Sequence, residues 1–389
     1  MRHALALLGC LGALGCQVIL GFEEHEPYPA SGGSGGLGGA GDGGTGAIGG
    51  GGSPTTGGAP AGGASAGGGG EGGQGGEPPV ELDLFEDPVE LHTGQGTIEH
   101  LEMASDGTLF FLSVSGTHSV VRRTTDGTLT VIESGLNQAR GLALTDGHVI
   151  TATAPTGAAD PSCHVFAIDK ADIAPTLDLV NVDCEPGQQI LGTVGAVGSH
   201  VVFSTLQPNG NLRSRVFRAE ATDVGSPGVL IGYGILGTAL VPSTIVEGDT
   251  YYWVDSAGQR IMSSAGTVVS MGPAPGAGVA TVTQQLAGAR EVVKAGALFF
   301  VATTSGIFRV DGAGTVFMLT DAVTPRGLSV DGSFLYWAEP TEVRAVRLSD
   351  LALSSVATAG DGPTSTATDG TAVFFGTSGG RIVRVEPSP

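Results

Sequence analysis

The chain has 389 residues, 68 of them glycine, and a net charge of 17 − 38 = −21 at pH 7. So acidic a protein is excluded from binding along a nucleic-acid backbone, because neutralising phosphates requires clustered Lys and Arg. Composition also divides the chain, with 26 glycines and no Lys or Arg among the 47 positions 30–76, and a Val-, Leu-, Thr- and Phe-rich remainder over 79–389 long enough for a full core.

Arg2 and His3 precede an apolar run of 12 residues, Ala4 to Gly15, and then Cys16. This is the basic, apolar, small-residue layout of a secretory signal. Ala13-Leu14-Gly15-Cys16 resembles the lipobox of bacterial lipoproteins. That resemblance implies cleavage after residue 15 and a lipid on the Cys16 thiol. The alternative joins residues 4–22 into one apolar stretch of 19 residues, just long enough to span a bilayer uncleaved, although glycines at 9, 12, 15 and 21 weaken such a helix. Either anchor places the rest outside the cytoplasm, and the lipid reading implies an outer-membrane lipoprotein facing periplasm or exterior. The division expected is a signal over 1–15, an acidic leader over 16–29, a disordered tether over 30–78 and one folded unit over 79–389. The 47 glycine-rich positions 30–76 alone have a root-mean-square span of about 40 Å. Its glycines do not fall at every third position, which excludes a collagen rod, and no Lys stands beside them to make a phosphate loop.

From residue 97 the chain repeats an apolar strand, a tight turn with Gly, an aromatic strand and a strand carrying Arg. The turn glycines are Gly107, Gly147, Gly198, Gly248, Gly296, Gly332 and Gly370, spaced 40, 51, 50, 48, 36 and 38 apart, and four of them follow Asp. Periods of this length indicate propeller blades. The strands after these turns hold 13 of the 21 aromatic residues, from Leu109-Phe110-Phe111 to Val373-Phe374-Phe375. Large flat side chains in one strand per repeat suit packing between neighbouring blades. The fold predicted is all-β, a propeller of four-stranded antiparallel blades. Seven is the count, with six or eight left open by the longer spacings. The last unit ends after three strands, and the alternating segment 80–91 is expected to supply the fourth and close the ring.

Cys163 and Cys184 flank a turn centred near Ile173-Ala174 in the second unit. Antiparallel pairing about that centre sets 163 opposite 184 and 166 opposite 181, a placement suited to a disulfide worth about 3 kcal/mol in an exported protein. A metal site of Cys163, His164 and Cys184 offers only three ligands, two of them on opposite strand faces. His118, His148 and His200 fall in or beside strands and turns, the ordinary setting of a solvated or hydrogen-bonded histidine.

A ligand site is expected at a mouth of the central channel, where equivalent positions converge. Arg140, Arg290 and Arg326 open inner strands, and His100 stands there in the first unit. Three arginines at one repeated position in an acidic domain suggest an anion site. Arg140 stands seven residues before its turn glycine and the others six, so its turn is expected to be one residue longer. The alternative ties these arginines to neighbouring loop carbonyls or to Glu99, Glu247 and Glu291. No Gly-x-Ser-x-Gly elbow, His-Glu-x-x-His helix or EF-hand loop occurs. No metal or other cofactor is expected.

Arg326-Gly327-Leu328, Val330-Asp331-Gly332 and the following Phe334-Leu335-Tyr336-Trp337 resemble the repeats of bacterial TolB-like and NHL-like propellers. With the lipobox and Gly-rich tether, the whole is similar to surface lipoproteins of myxobacteria. The resemblance covers roughly residues 80–389 and implies architecture, not activity. Propellers of the gluconolactonase type hold a metal with Glu, Asn and Asp and carry Pro-Asn-Gly at an inner strand. Pro325-Arg326-Gly327 puts a guanidinium there, which cannot ligate a cation. The function expected is a non-enzymatic binding module for a protein or an anionic glycan, with a channel-site hydrolase or lactonase as the alternative.

Overall fold

Val, Ile, Thr, Phe and Tyr fit a pleated, half-buried surface, and the runs of them between Gly- and Asp-containing turns form strands throughout the folded unit. The computed structural model describes residues 84–388 except 155–161, 184–189, 208–212, 223, 226–227, 234–242, 257–258, 267–278 and 284. The predicted signal, Cys16, leader and tether lie outside the described residues. Among those described there is no helix, and 28 strands form seven separate four-stranded antiparallel sheets.

Six sheets run in simple up-and-down order over 97–136, 140–183, 190–233, 244–283, 291–320 and 326–358, numbered here as blades 1 to 6. Blade 7 joins Pro363–Thr368, Val373–Thr377 and Ile382–Val385 to an outer strand from the other end of the unit, Val89–His92. Val89 stands opposite Arg384 and His92 opposite Ile382. The inner strand of blade 7 lies against those of blades 6 and 1, which closes a seven-bladed β-propeller. The N-terminal strand thus closes the ring as the sequence predicts. It is shorter than expected, because Phe85 makes only a single bridge, to Pro387.

The closure is bolted by charge. Arg381 donates from Nε to Asp361 Oδ2 at 2.8 Å, reaches Asp361 Oδ1 with a second nitrogen and lies 3.7 Å from Glu90 on the closing strand. These bonds hold the Asp361 carboxyl at about 2, below the ordinary carboxylate value.

Seven apolar clusters fill the ring, each shared by two adjacent blades. Trp337 and Phe300 meet between blades 5 and 6, Trp253 and Val202 between blades 3 and 4. Most of the stabilising surface therefore lies between repeats, as stacked architectures require. Two glycines permit the closest approaches. A Cβ on Gly327, whose φ is +59°, would strike the Ser365 backbone of blade 7, and one on Gly376 would strike Ile98 and Leu101 of blade 1.

The cysteine register differs from expectation. Cys163 stands opposite Val182, and Phe166 opposite Asp178 instead of 181. The turn sits nearer the N-terminal strand than expected, with Ala167 opposite Leu177, and Asp169 draws it tight by accepting from the backbone N–H groups of Ala171 and Ala174; the bulge between Val165 and Phe166 gives back one residue of that offset. Cys184 lies outside the described residues.

Candidate functional site

The residue opening each inner strand is set by register. Arg140 pairs with Ala152, Arg326 with Ala338 and His100 with Leu112, each on the second strand of its blade. In blades 2 and 6 the arginine precedes a glycine at positive φ, Gly141 at 73° and Gly327 at 59°, and the register shifts there. The resulting bulge re-aims the arginine. In blade 5 the corresponding place belongs to Glu291, paired with Ala302 through an unbroken register. Arg290 lies one residue outside that strand, with its backbone N–H donated to the Ala302 carbonyl at 2.9 Å. The dipeptides Arg-Gly and Arg-Glu carry this difference in the sequence itself.

The expected longer turn after Arg140 is absent. Leu144 pairs with Val149 and Val330 with Leu335, so both hairpin loops have four residues and glycine merely stands one place later in blade 2.

What these side chains do differs from seam to seam. Arg326 donates from Nη2 to the Pro363 carbonyl at 3.0 Å, across the seam to blade 7. Beside it the Ser329 and Thr366 hydroxyls meet at 2.6 Å, and Thr366 bonds the Gly327 carbonyl at 2.5 Å. Glu291, 1 % exposed, accepts the Leu328 backbone N–H at 2.7 Å, and Ser243 accepts that of Val292 at 3.1 Å. The same register place therefore acts as a rivet between inner strands. His100 occupies it in blade 1 and is buried at 5 % exposure. Of the three acids that could tie the arginines, Glu99 meets His118 at 3.2 Å, Glu247 holds Lys294 at 2.7 Å and Glu291 is the rivet just described.

Arg140 is the exception. Among the described residues its guanidinium meets no hydrogen-bond or ion-pair partner, and burial alone pulls it below its ordinary value. A desolvated guanidinium without a carboxylate is suited to an incoming anion.

Among the described residues no three of His, Cys, Asp and Glu gather closely enough to hold a metal ion. At Arg326 the chain offers a guanidinium bonded to a carbonyl. The residues that sequence reasoning overlooked line a cleft between blades 1 and 2, among them Glu133, Asn137, Thr153, His164, Phe166 and Asp178. They come from four strands and a loop and form no motif. The one local signal is the spacing of His164 and Phe166, two apart and hence on one face of a strand.

Comparison of the sequence with protein-family models and with curated proteins finds no match. Solved structures are similar in fold. Virginiamycin B lyase from Staphylococcus aureus superposes with a TM-score of 0.55 at 14% identity, covering 78% of this chain and 99% of the lyase. A catalytically inactive form of that lyase with quinupristin gives 0.54 at 14% identity over 78% and 99% of the two chains. A gluconolactonase from Xanthomonas campestris gives 0.47 at 12% identity over 80% and 95%. At such identities the likeness establishes the propeller fold and nothing finer.

Proposed function

We propose that this chain is an exported propeller, tethered to the cell envelope through a lipid on Cys16, that binds an anionic group at the channel mouth without transforming it. The half-buried Arg140, whose guanidinium has no partner among the described residues, carries this reading. A protein carboxylate or an acidic glycan supplies the missing charge. Arg326 acts as a rivet at the mouth, the buried His100 holds the equivalent place in blade 1, and Arg290 adds positive charge beside it. The TolB-like and NHL-like character of the repeats, the tether over 30–78 and a disulfide between Cys163 and Cys184 belong to the same proposal, which rests on the lipobox-like and repeat motifs of the sequence.

The test is thermal melting of the full chain with glucuronate, polygalacturonate, Ca²⁺ and chelator. A ligand of the native state raises the melting temperature. Acidic sugars should raise it in the wild type and not in Arg140→Ala, whose unliganded melt stays close to wild type. An unchanged rise in the variant, or no rise in either protein, overturns the reading. A second reading, a propeller lyase or lactonase, draws on the fold shared with the lyase. A chelator-induced fall in melting temperature would favour it.

A further inference from the structure

Blades 1 and 2 part into a cleft of about 400 Å³, within the roughly 300–1,000 Å³ of small-molecule sites. Glu133 on the strand Leu129–Leu136 and Asn137 just after it form one wall. The other is built by Thr153 at the end of His148–Thr153, His164 and Phe166 on Ser162–Asp169, and Asp178 on Leu177–Asp183.

Thr153 distinguishes the place. It is 3 % exposed, lines the cleft, and among the described residues its hydroxyl has no partner. In blades 4, 5 and 7 the residue that ends the second strand is engaged within the protein. Asp255 accepts from Arg260 at 3.0 Å, the Thr303 hydroxyl donates to the Gly306 carbonyl at 3.1 Å, and that of Thr377 to Asp361 at 2.7 Å. A hydroxyl on a largely buried residue that faces a cleft and has no protein partner is open to bond what enters.

The remaining lining sets the chemistry. Asp178 already accepts from His164 Nδ1 at 2.9 Å. Glu133 accepts from the Ser134 backbone N–H at 3.1 Å and from the Thr176 hydroxyl. Each carboxylate retains lone pairs for hydroxyl donors. Among the described residues neither Lys nor Arg lines the cleft, and its two carboxylates disfavour an anionic ligand there. The His164 and Phe166 rings lie parallel, 4° apart with centroids 5.2 Å from each other, and form one flat flank. Carboxylates, an amide and a hydroxyl around a flat flank match a ligand rich in hydroxyls, uncharged, and flat on one side. We propose that this cleft binds a neutral pyranose unit of a glycan, at a site separate from the channel mouth.

The test is saturation-transfer NMR and thermal melting of the full chain with cellobiose, maltose and N,N′-diacetylchitobiose at millimolar concentration. At least one should receive saturation at its ring protons and raise the melting temperature. Thr153→Val should weaken that binding about fivefold, the equivalent of one net hydrogen bond, without lowering the unliganded melt. Phe166→Leu, which keeps apolar bulk without the flat ring, should weaken it too, and Arg140→Ala should leave it unchanged. Binding of none of the three sugars, binding indifferent to Thr153→Val and Phe166→Leu, or a response to cadaverine in place of the sugars overturns the proposal. The anion reading stands or falls separately, through Arg140 and acidic sugars.

Discussion

The seams between blades 6 and 7 and between blades 1 and 2 are built from the same repeat and have opposite characters. At the first, Arg326, Ser329 and Thr366 all find partners, and Gly327 lets the two inner strands approach until no Cβ would fit between them. At the second, Arg140 and Thr153 meet no partner among the described residues, and the blades part into a cleft. The lesson concerns polar groups more than apolar ones, since both seams have a buried apolar cluster. Where the polar groups at a seam satisfy each other, a propeller seam is structural. Where they do not, it is open to a ligand.

The sharpest way to break this contrast is Gly327→Ala. Its Cβ would strike backbone at a positive φ, so a loss of more than about 2 kcal/mol is expected in urea unfolding. Wild-type stability in that variant would mean the closed seam is not tight. Next comes Thr366→Val, which strands the Ser329 hydroxyl and the Gly327 carbonyl in a buried site and should cost about 1–3 kcal/mol. Thr153→Val in the open seam should cost less than about 0.5 kcal/mol in the same assay, having no bond to lose. Equal losses at both positions would erase the distinction.

A pH titration sharpens the picture at the ring closure. The Asp361 carboxyl is held at about 2, so its stabilisation is complete above the ordinary carboxylate value of 3.8 and is lost as the pH falls towards 2. With Arg381 partly exposed, the contribution is about 1–2 kcal/mol. Melting curves from pH 5 to 2 should show a steeper fall for wild type than for Asp361→Asn, and parallel curves would remove Asp361 from the closure. The smallest expected effect is on the Arg140→Ala melt without ligand, where only the response to acidic sugars should change.

Much of the architecture was legible because its signals are local. Asp106-Gly107, Asp146-Gly147, Asp331-Gly332 and Asp369-Gly370 marked hairpins, aromatic runs such as Tyr251-Tyr252-Trp253 marked the strands between blades, and the missing fourth strand pointed to closure from the N-terminal side. The register was less accessible. The turn after Ala167 and the bulge at Val165 and Phe166 together set Cys163 opposite Val182, and bulges at Gly141 and Gly327 re-aim the arginines before them. Each bulge is one residue in length, which alternation alone does not fix.

Composition, period and turn chemistry by themselves determined an all-β ring of about seven units joined to a glycine-rich segment. They also placed basic residues at the openings of inner strands. Only the tertiary structure decided which of those residues became rivets and which stayed available, because Ser329 meets Thr366 and Arg326 meets Pro363 across 37 residues of chain. Hydrogen-bond satisfaction across a seam is a property of two repeats together, and neither repeat's sequence contains it.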